Sequence, residues 1–109
     1  MKSPEASPPG IPSPYESIAW AAELSDEVTT VDLHGLDRLE AVREVDRAIN
    51  QAFMRREEAL KILHGKGHGT LRREIQKHLE SQTQLVAYFR DATARGQEQA
   101  MTIVVLHQR

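Results

Sequence analysis

Two short segments of this 109-residue chain carry the residue types that phosphate chemistry uses. The first is Asp32-Leu33-His34-Gly35. An aspartate and a histidine two apart on a strand project to the same face. There the carboxylate is expected to hydrogen-bond the imidazole and orient its tautomer for proton transfer near neutral pH. The second segment is His64-Gly65-Lys66-Gly67-His68-Gly69-Thr70. Alternating glycines free its backbone for dihedrals closed to other residues and let N–H groups turn toward an anion. A helix starting directly after it adds positive potential, with Lys66 and Arg72 as nearby counter-charges. The spacing is neither a Walker A loop nor the dinucleotide fingerprint G-x-G-x-x-G, so a nucleotide cofactor is disfavoured. Each segment also has a plainer explanation. Asp32 and His34 would then only satisfy backbone groups at a strand end, and the glycine run would be a flexible strand-to-helix turn.

Both segments need a sheet edge to bring them together. Residues 28–34 (VTTVDLH) read as a first strand, rich in β-branched side chains and stopped by Gly35. Asp37 and Glu40 have capping-box spacing, and Val42, Val45, Ile49, Ala52 and Phe53 then recur at helical period until the charged break at residues 55–58. Residues 59–64 (ALKILH) read as a buried central strand running into the glycines. Thr70 is expected to cap a second helix whose buried stripe is Leu71, Ile75 and Leu79. Residues 85–90 and 101–107 read as the last two strands, joined around Gly96. The order is β-α-β-α-β-β. Right-handed crossovers make the first two strands parallel, and helices sharing one face give an α/β two-layer sandwich on a mixed four-stranded sheet with the other face partly open. Their carboxyl ends then share one edge, where open α/β sheets place ligands.

Composition trims the alternatives. Without cysteine there is no disulfide scaffold, cysteine-ligated zinc or thiol nucleophile. No stretch is long and apolar enough for a membrane helix, and residues 1–10 lack the apolar core of a signal peptide, so a cytoplasmic address is expected. All five prolines fall within residues 1–14, predicting a disordered tail; residues 15–28 read as a short helix or an arm lying on the domain, the periodicity being too weak to choose, with Trp20 as its anchor, and residues 29–109 as the domain. The formal net charge of −2 argues against a nucleic-acid partner until it is divided. Residues 1–30 hold one lysine against five carboxylates, so the rest of the chain carries +2. Within residues 60–79, Lys61, Lys66, Arg72, Arg73 and Lys77 face only Glu74. That basic stretch is the footprint of a phosphodiester partner, or simply a solvated helix. Asp32, His34, His64, His68 and His78 invite a metal, but none has H-E-x-x-H spacing, and His78 reads as solvated. No permanent metal site is expected, although magnesium or manganese arriving with phosphate fits.

Taken together, Val31-Asp32-Leu33-His34-Gly35-Leu36, Glu40-Ala41 and the run from Ile62 to Arg72 resemble the Smr (small MutS-related) domain over about residues 29–107. That family occurs at the C-terminus of some bacterial MutS-like proteins and as short free-standing proteins, and the chain is expected to be of the short kind. The resemblance implies a fold similar to the C-terminal domain of translation initiation factor 3. It also implies an RNA- or DNA-binding module, ribosome-associated in some members and an endonuclease in several. By motif, Asp32 and His34 are the implied catalytic pair and Gly65, Lys66, Gly67 and Gly69 the implied phosphate-contacting loop. His64 and Arg72 match positions beside that loop, and His68 and Arg73 share its basic edge. Many members carry a second glycine-rich stretch before the last strand, where this chain has only Gly96. The expected activity is phosphodiester hydrolysis. A non-catalytic binding module using the same edge is the alternative, and a protein-interaction domain recruited through the proline-rich tail is a third option.

Overall fold

A computed structural model describes residues 13–108 of the chain; most of the proline-rich stretch lies outside them. The elements run α1 (Pro14–Leu24), β1 (Thr30–Asp32), α2 (Arg38–Met54), β2 (Ala59–Leu63), α3 (Thr70–Ser81), β3 (Val86–Asp91) and β4 (Met101–Leu106). The strands form one sheet in the order β1-β2-β4-β3. β1 and β2 are parallel, with Asp32 opposite Leu63, while β4 is antiparallel to both β2 and β3. From β1 onward this is the expected β-α-β-α-β-β order on a mixed sheet. The first strand is shorter than its β-branched run suggested, because the chain leaves the sheet at Leu33 and turns at His34 and Gly35.

Alternation along the strands sorts side chains between two apolar layers. Leu60 and Ile62 of β2, Val104 and Leu106 of β4, and Val86 and Phe89 of β3 pack against Val45 and Ile49 of α2 and Ile75 and Leu79 of α3. Burying each of these large side chains stabilises the fold by roughly 1.5–3 kcal/mol. The opposite face is not left open. Ala59, Ile103, Val105 and Ala92 are covered by Ala19 and Ala22 of α1. The two-layer sandwich therefore gains a helix on its far side, the helical one of the two forms open to residues 15–28. Trp20 is not its buried anchor: the ring is 50% exposed and lies over the Arg90 guanidinium at 5.4 Å. Two alanines let α1 come close enough to the sheet to do that work.

α1 is fastened at both ends. Ser13 and Glu16 form a capping box around Pro14, a signal legible in the S-P-Y-E sequence. Lys61, buried in the middle of apolar β2, points toward α1 and donates to the carbonyl oxygens of Glu23 at 3.1 Å and Ser25 at 2.7 Å. Its charge thus sits at the negative end of the helix. Glu23 accepts from Arg90 at 2.8 Å and from the amides of Thr93 and Ala94 at 2.7 Å each, tying α1 to the β3–β4 loop. No helix among the described residues is long and apolar enough to cross a membrane.

Candidate active site

The register brings three segments to one edge of the sheet. These are the residues after β1, the glycine loop after β2, and the β3–β4 loop, since Leu63 pairs with Met101 and Asp91 with Thr102. Asp32, His34, Leu63, His64 and Gly65 line a cavity of about 210 Å³ there. Asp32 does not bond the His34 imidazole. One carboxylate oxygen accepts the His34 backbone N–H at 2.9 Å, closing the turn that presents an exposed imidazole. The aspartate thus orients the histidine through the main chain, because the strand ends before the two side chains run parallel.

The glycine loop is divided between anchored and open amides. The amides of His64 and Gly65 both donate to the Ala100 carbonyl at 3.0 Å, and that of Gly69 donates to the Lys66 carbonyl at 3.0 Å. Those of Lys66, Gly67 and His68 have no partner among the described residues. Gly65, Gly67 and Gly69 all hold positive φ, which lets the chain fold back on itself between β2 and α3. Thr70 opens α3 rather than capping it. The capping position is Gly69, in the left-handed region and without a side chain to donate to, so the first-turn amides of α3 face the loop uncapped.

The sequence matches the Smr domain family model over residues 31–107. The chain belongs to the Smr family. It is 35% identical over 106 residues to Endonuclease MutS2 of Thermus thermophilus, covering 97% of this chain and 14% of that protein. It is also 36% identical over 94 residues to Endonuclease MutS2 of Caldicellulosiruptor saccharolyticus, covering 84% of this chain and 12% of that protein. It therefore spans about a seventh or less of these relatives' length. Among solved structures it superposes on the Smr domain of Thermus thermophilus MutS2 with TM-score 0.69 and 39% identity, covering 73% of this chain and 99% of the other. YdaL, a stand-alone small MutS-related protein from Escherichia coli, shares the fold with TM-score 0.64 and 20% identity, covering 73% and 65% of the two chains. α1 lies before the matched Smr region.

Within this Smr domain, four of the basic or histidine side chains named from sequence stand differently from their expected places. His64 is 9% exposed, set between the Gly65 carbonyl at 3.0 Å and the Thr102 hydroxyl at 2.9 Å. Burial pushes its pKa below the ordinary histidine value, so it favours the neutral form. Arg72 is held in a two-pronged ion pair by Asp91, with Nε at 2.8 Å and Nη2 at 2.5 Å, and is not directed at the loop. Lys61 belongs to the α1 face, and His78 is bonded to Asp46 of α2 at 2.5 Å instead of solvated. Exposed positive charge at the loop includes Lys66 and Arg73, while Lys77 is exposed further along α3.

Glu98 lies close enough to Lys66 for the lysine to help lower its carboxyl pKa, behind the amide bonds that act first. Among the described residues no three His, Asp or Glu side chains are grouped to hold a metal ion. Asp91, Gln76 and Thr102 were missed from sequence. Asp91 and Thr102 are met by Gln76 from α3, and the sequence signal for the two strand residues is a polar residue interrupting the apolar run of a strand.

Proposed function

We propose that this Smr domain binds RNA or DNA through the glycine loop and hydrolyses phosphodiester bonds, RNA being the slightly favoured substrate. The supporting observation is the shared edge. Three open amides at Lys66, Gly67 and His68, an uncapped α3 and the Lys66 charge lie at the loop that starts from the Asp32–His34 cavity. A phosphate on the loop has its charge met by N–H groups aimed before reaction begins. His34 takes the proton from the attacking water oxygen as the bond to phosphorus forms; the bond to the leaving oxygen breaks, that oxygen takes up a proton from solvent water, and His34 returns its proton to solvent. Asp32 fixes the turn that carries the imidazole. Lys66 and Arg73 hold the flanking backbone. A divalent magnesium or manganese ion brought in by the phosphate would add charge neutralisation.

The test is cleavage of labelled single-stranded RNA and of supercoiled plasmid by the purified protein, with and without chelator. Proton transfer by a positioned side chain contributes about 10²–10⁴-fold. His34→Ala should therefore lose cleavage by that order while keeping salt-sensitive binding, and Asp32→Asn should lose less. Undiminished cleavage in both variants would remove this mechanism. Binding without cleavage by the wild-type chain would instead establish the non-catalytic module.

A further inference from the structure

Donor and acceptor chemistry fixes the direction of every hydrogen in the cluster behind the glycine loop. The Gly65 carbonyl can only accept, so Nδ1 of His64 carries the hydrogen that joins them. In the neutral ring Nε2 is then a bare acceptor, and it takes the hydroxyl hydrogen of fully buried Thr102. The Thr102 oxygen in turn accepts from the Gln76 amide at 3.1 Å. That amide's second hydrogen goes to Asp91 at 2.8 Å, and Arg72 holds both oxygens of the Asp91 carboxylate through Nε and Nη2. A guanidinium that only donates stands at one end and a carbonyl that only accepts at the other. The chain spans α3, β3, β4 and the loop without a break.

We propose that His64 is a positioning residue for the phosphate loop, locked as the Nδ1–H tautomer by Thr102, Gln76, Asp91 and Arg72, so that the Gly65 carbonyl is held and the Lys66, Gly67 and His68 amides point outward. This rests on the phosphate-binding role of the loop proposed above. It gives Arg72 a role through Asp91 instead of as a phosphate ligand. It also makes the side chain of the first motif histidine in the loop a strut that never meets substrate. Asp91 on β3 and Arg72 on α3 are the charged groups that face His64, and Asp32 and His34 share its cavity.

Three measurements on the full chain test it. Imidazole ¹⁵N NMR of the wild type should show His64 as the Nδ1–H tautomer; an Nε2–H or charged ring at neutral pH overturns the proposal without any variant. Thr102→Val removes the hydroxyl at nearly constant shape, and Thr102→Ser keeps it. The serine variant should match the wild type in amide shifts induced by inorganic phosphate at Gly67. The valine variant should show a mixed tautomer and bind a labelled single-stranded RNA oligonucleotide about tenfold more weakly, the scale of one unsatisfied buried group. Equal behaviour of the two variants overturns the relay.

Asp91→Asn and Arg72→Gln should both weaken RNA binding, and the double variant no more than either alone. If Asp91→Asn instead tightens binding by freeing Arg72, the arginine is a phosphate ligand and the relay is wrong. A wild type that binds phosphate at Gly67 but cleaves nothing would end the nuclease reading alone, since tautomer and phosphate shifts are read without turnover.

Discussion

α2 and α3 begin at the same edge of the sheet, each after one of two adjacent parallel strands, yet their first turns are finished in opposite ways. At α2 the Asp37 carboxylate accepts the Glu40 amide at 2.8 Å, and the Glu40 carboxylate accepts the Asp37 amide at 3.0 Å. The positive end of that helix is closed by the chain's own anions. At α3 the capping residue is Gly69, and the first bond back into the helix is that of the Arg73 amide to the Gly69 carbonyl at 3.0 Å. The two helix starts sit alike on the sheet; the Asp37 side chain closes one, and the lack of a side chain at Gly69 leaves the other uncapped.

Making the open end resemble the closed one should have the largest effect. Gly67 has positive φ, and a Cβ built there meets nothing within 4 Å, so Gly67→Asp has room for its carboxylate. Asp is also one of the residues that tolerates that backbone. Its charge beside the open amides should weaken binding of a single-stranded RNA oligonucleotide by about a hundredfold, since like charges brought together cost several kcal/mol. Lys66→Gln is gentler. By removing one phosphate contact it should flatten the dependence of log affinity on log salt by about 0.7, the increment for one single-strand contact. A titration series in potassium chloride measures both.

Opening the closed end is the converse experiment. Asp37→Ala should lower stability by about 1 kcal/mol, the typical worth of such a cap. For a domain of this size that is a melting shift of about 4–8 °C. Binding and its salt slope should stay at wild-type values, because Glu40 and the lack of a glycine loop keep phosphate away. New binding at Asp37→Ala would show that any uncapped helix end on this sheet suffices, and that the loop adds nothing specific.

The closed end was readable from sequence because capping is local: Asp37 and Glu40 are three residues apart, and the helical stripe after them is unambiguous. The open end was only half readable. Its glycines and helix start are local, but which amides stay open depends on Ala100, brought in by β2–β4 pairing from 35 residues beyond Gly65. The same distance hid the fate of Arg72, whose partner Asp91 lies 19 residues on across the helix–sheet interface. His64 closes an apolar strand, and alternation puts it on the face of Leu60 and Ile62. Its burial was available from that pattern; its bond to Thr102 was not. α1 stayed undecided between a short helix and an arm because its buried face is two alanines, too small to mark a stripe, although its capping box was present in plain sequence.

The smallest effect separates the two helix ends by pH. His64 takes up a proton near pH 6.5 in an unfolded chain. In the fold, burial opposes that charge more than the Gly65 carbonyl and Asp91 favour it, with Arg72 adding to the opposition. The folded pKa is depressed, so unfolding binds a proton once the pH drops below the unfolded value. Stability owed to neutral His64 is therefore complete above about pH 6.5 and declines as the pH falls from there toward the folded pKa. Asp91, held low first by its bond to Arg72, contributes in another window: its share is present above about pH 3.9 and is lost only below that. Between about pH 7.5 and 5.5 the two are separable. Urea unfolding across that range should show a steeper loss for the wild type than for His64→Gln, while Asp37→Ala keeps the wild-type slope. Parallel slopes for wild type and His64→Gln would mean that His64 charges freely in the folded protein. A freely charging imidazole under the loop would be a second cation for phosphate, and the open end would then owe its anion affinity to side chains as much as to amides.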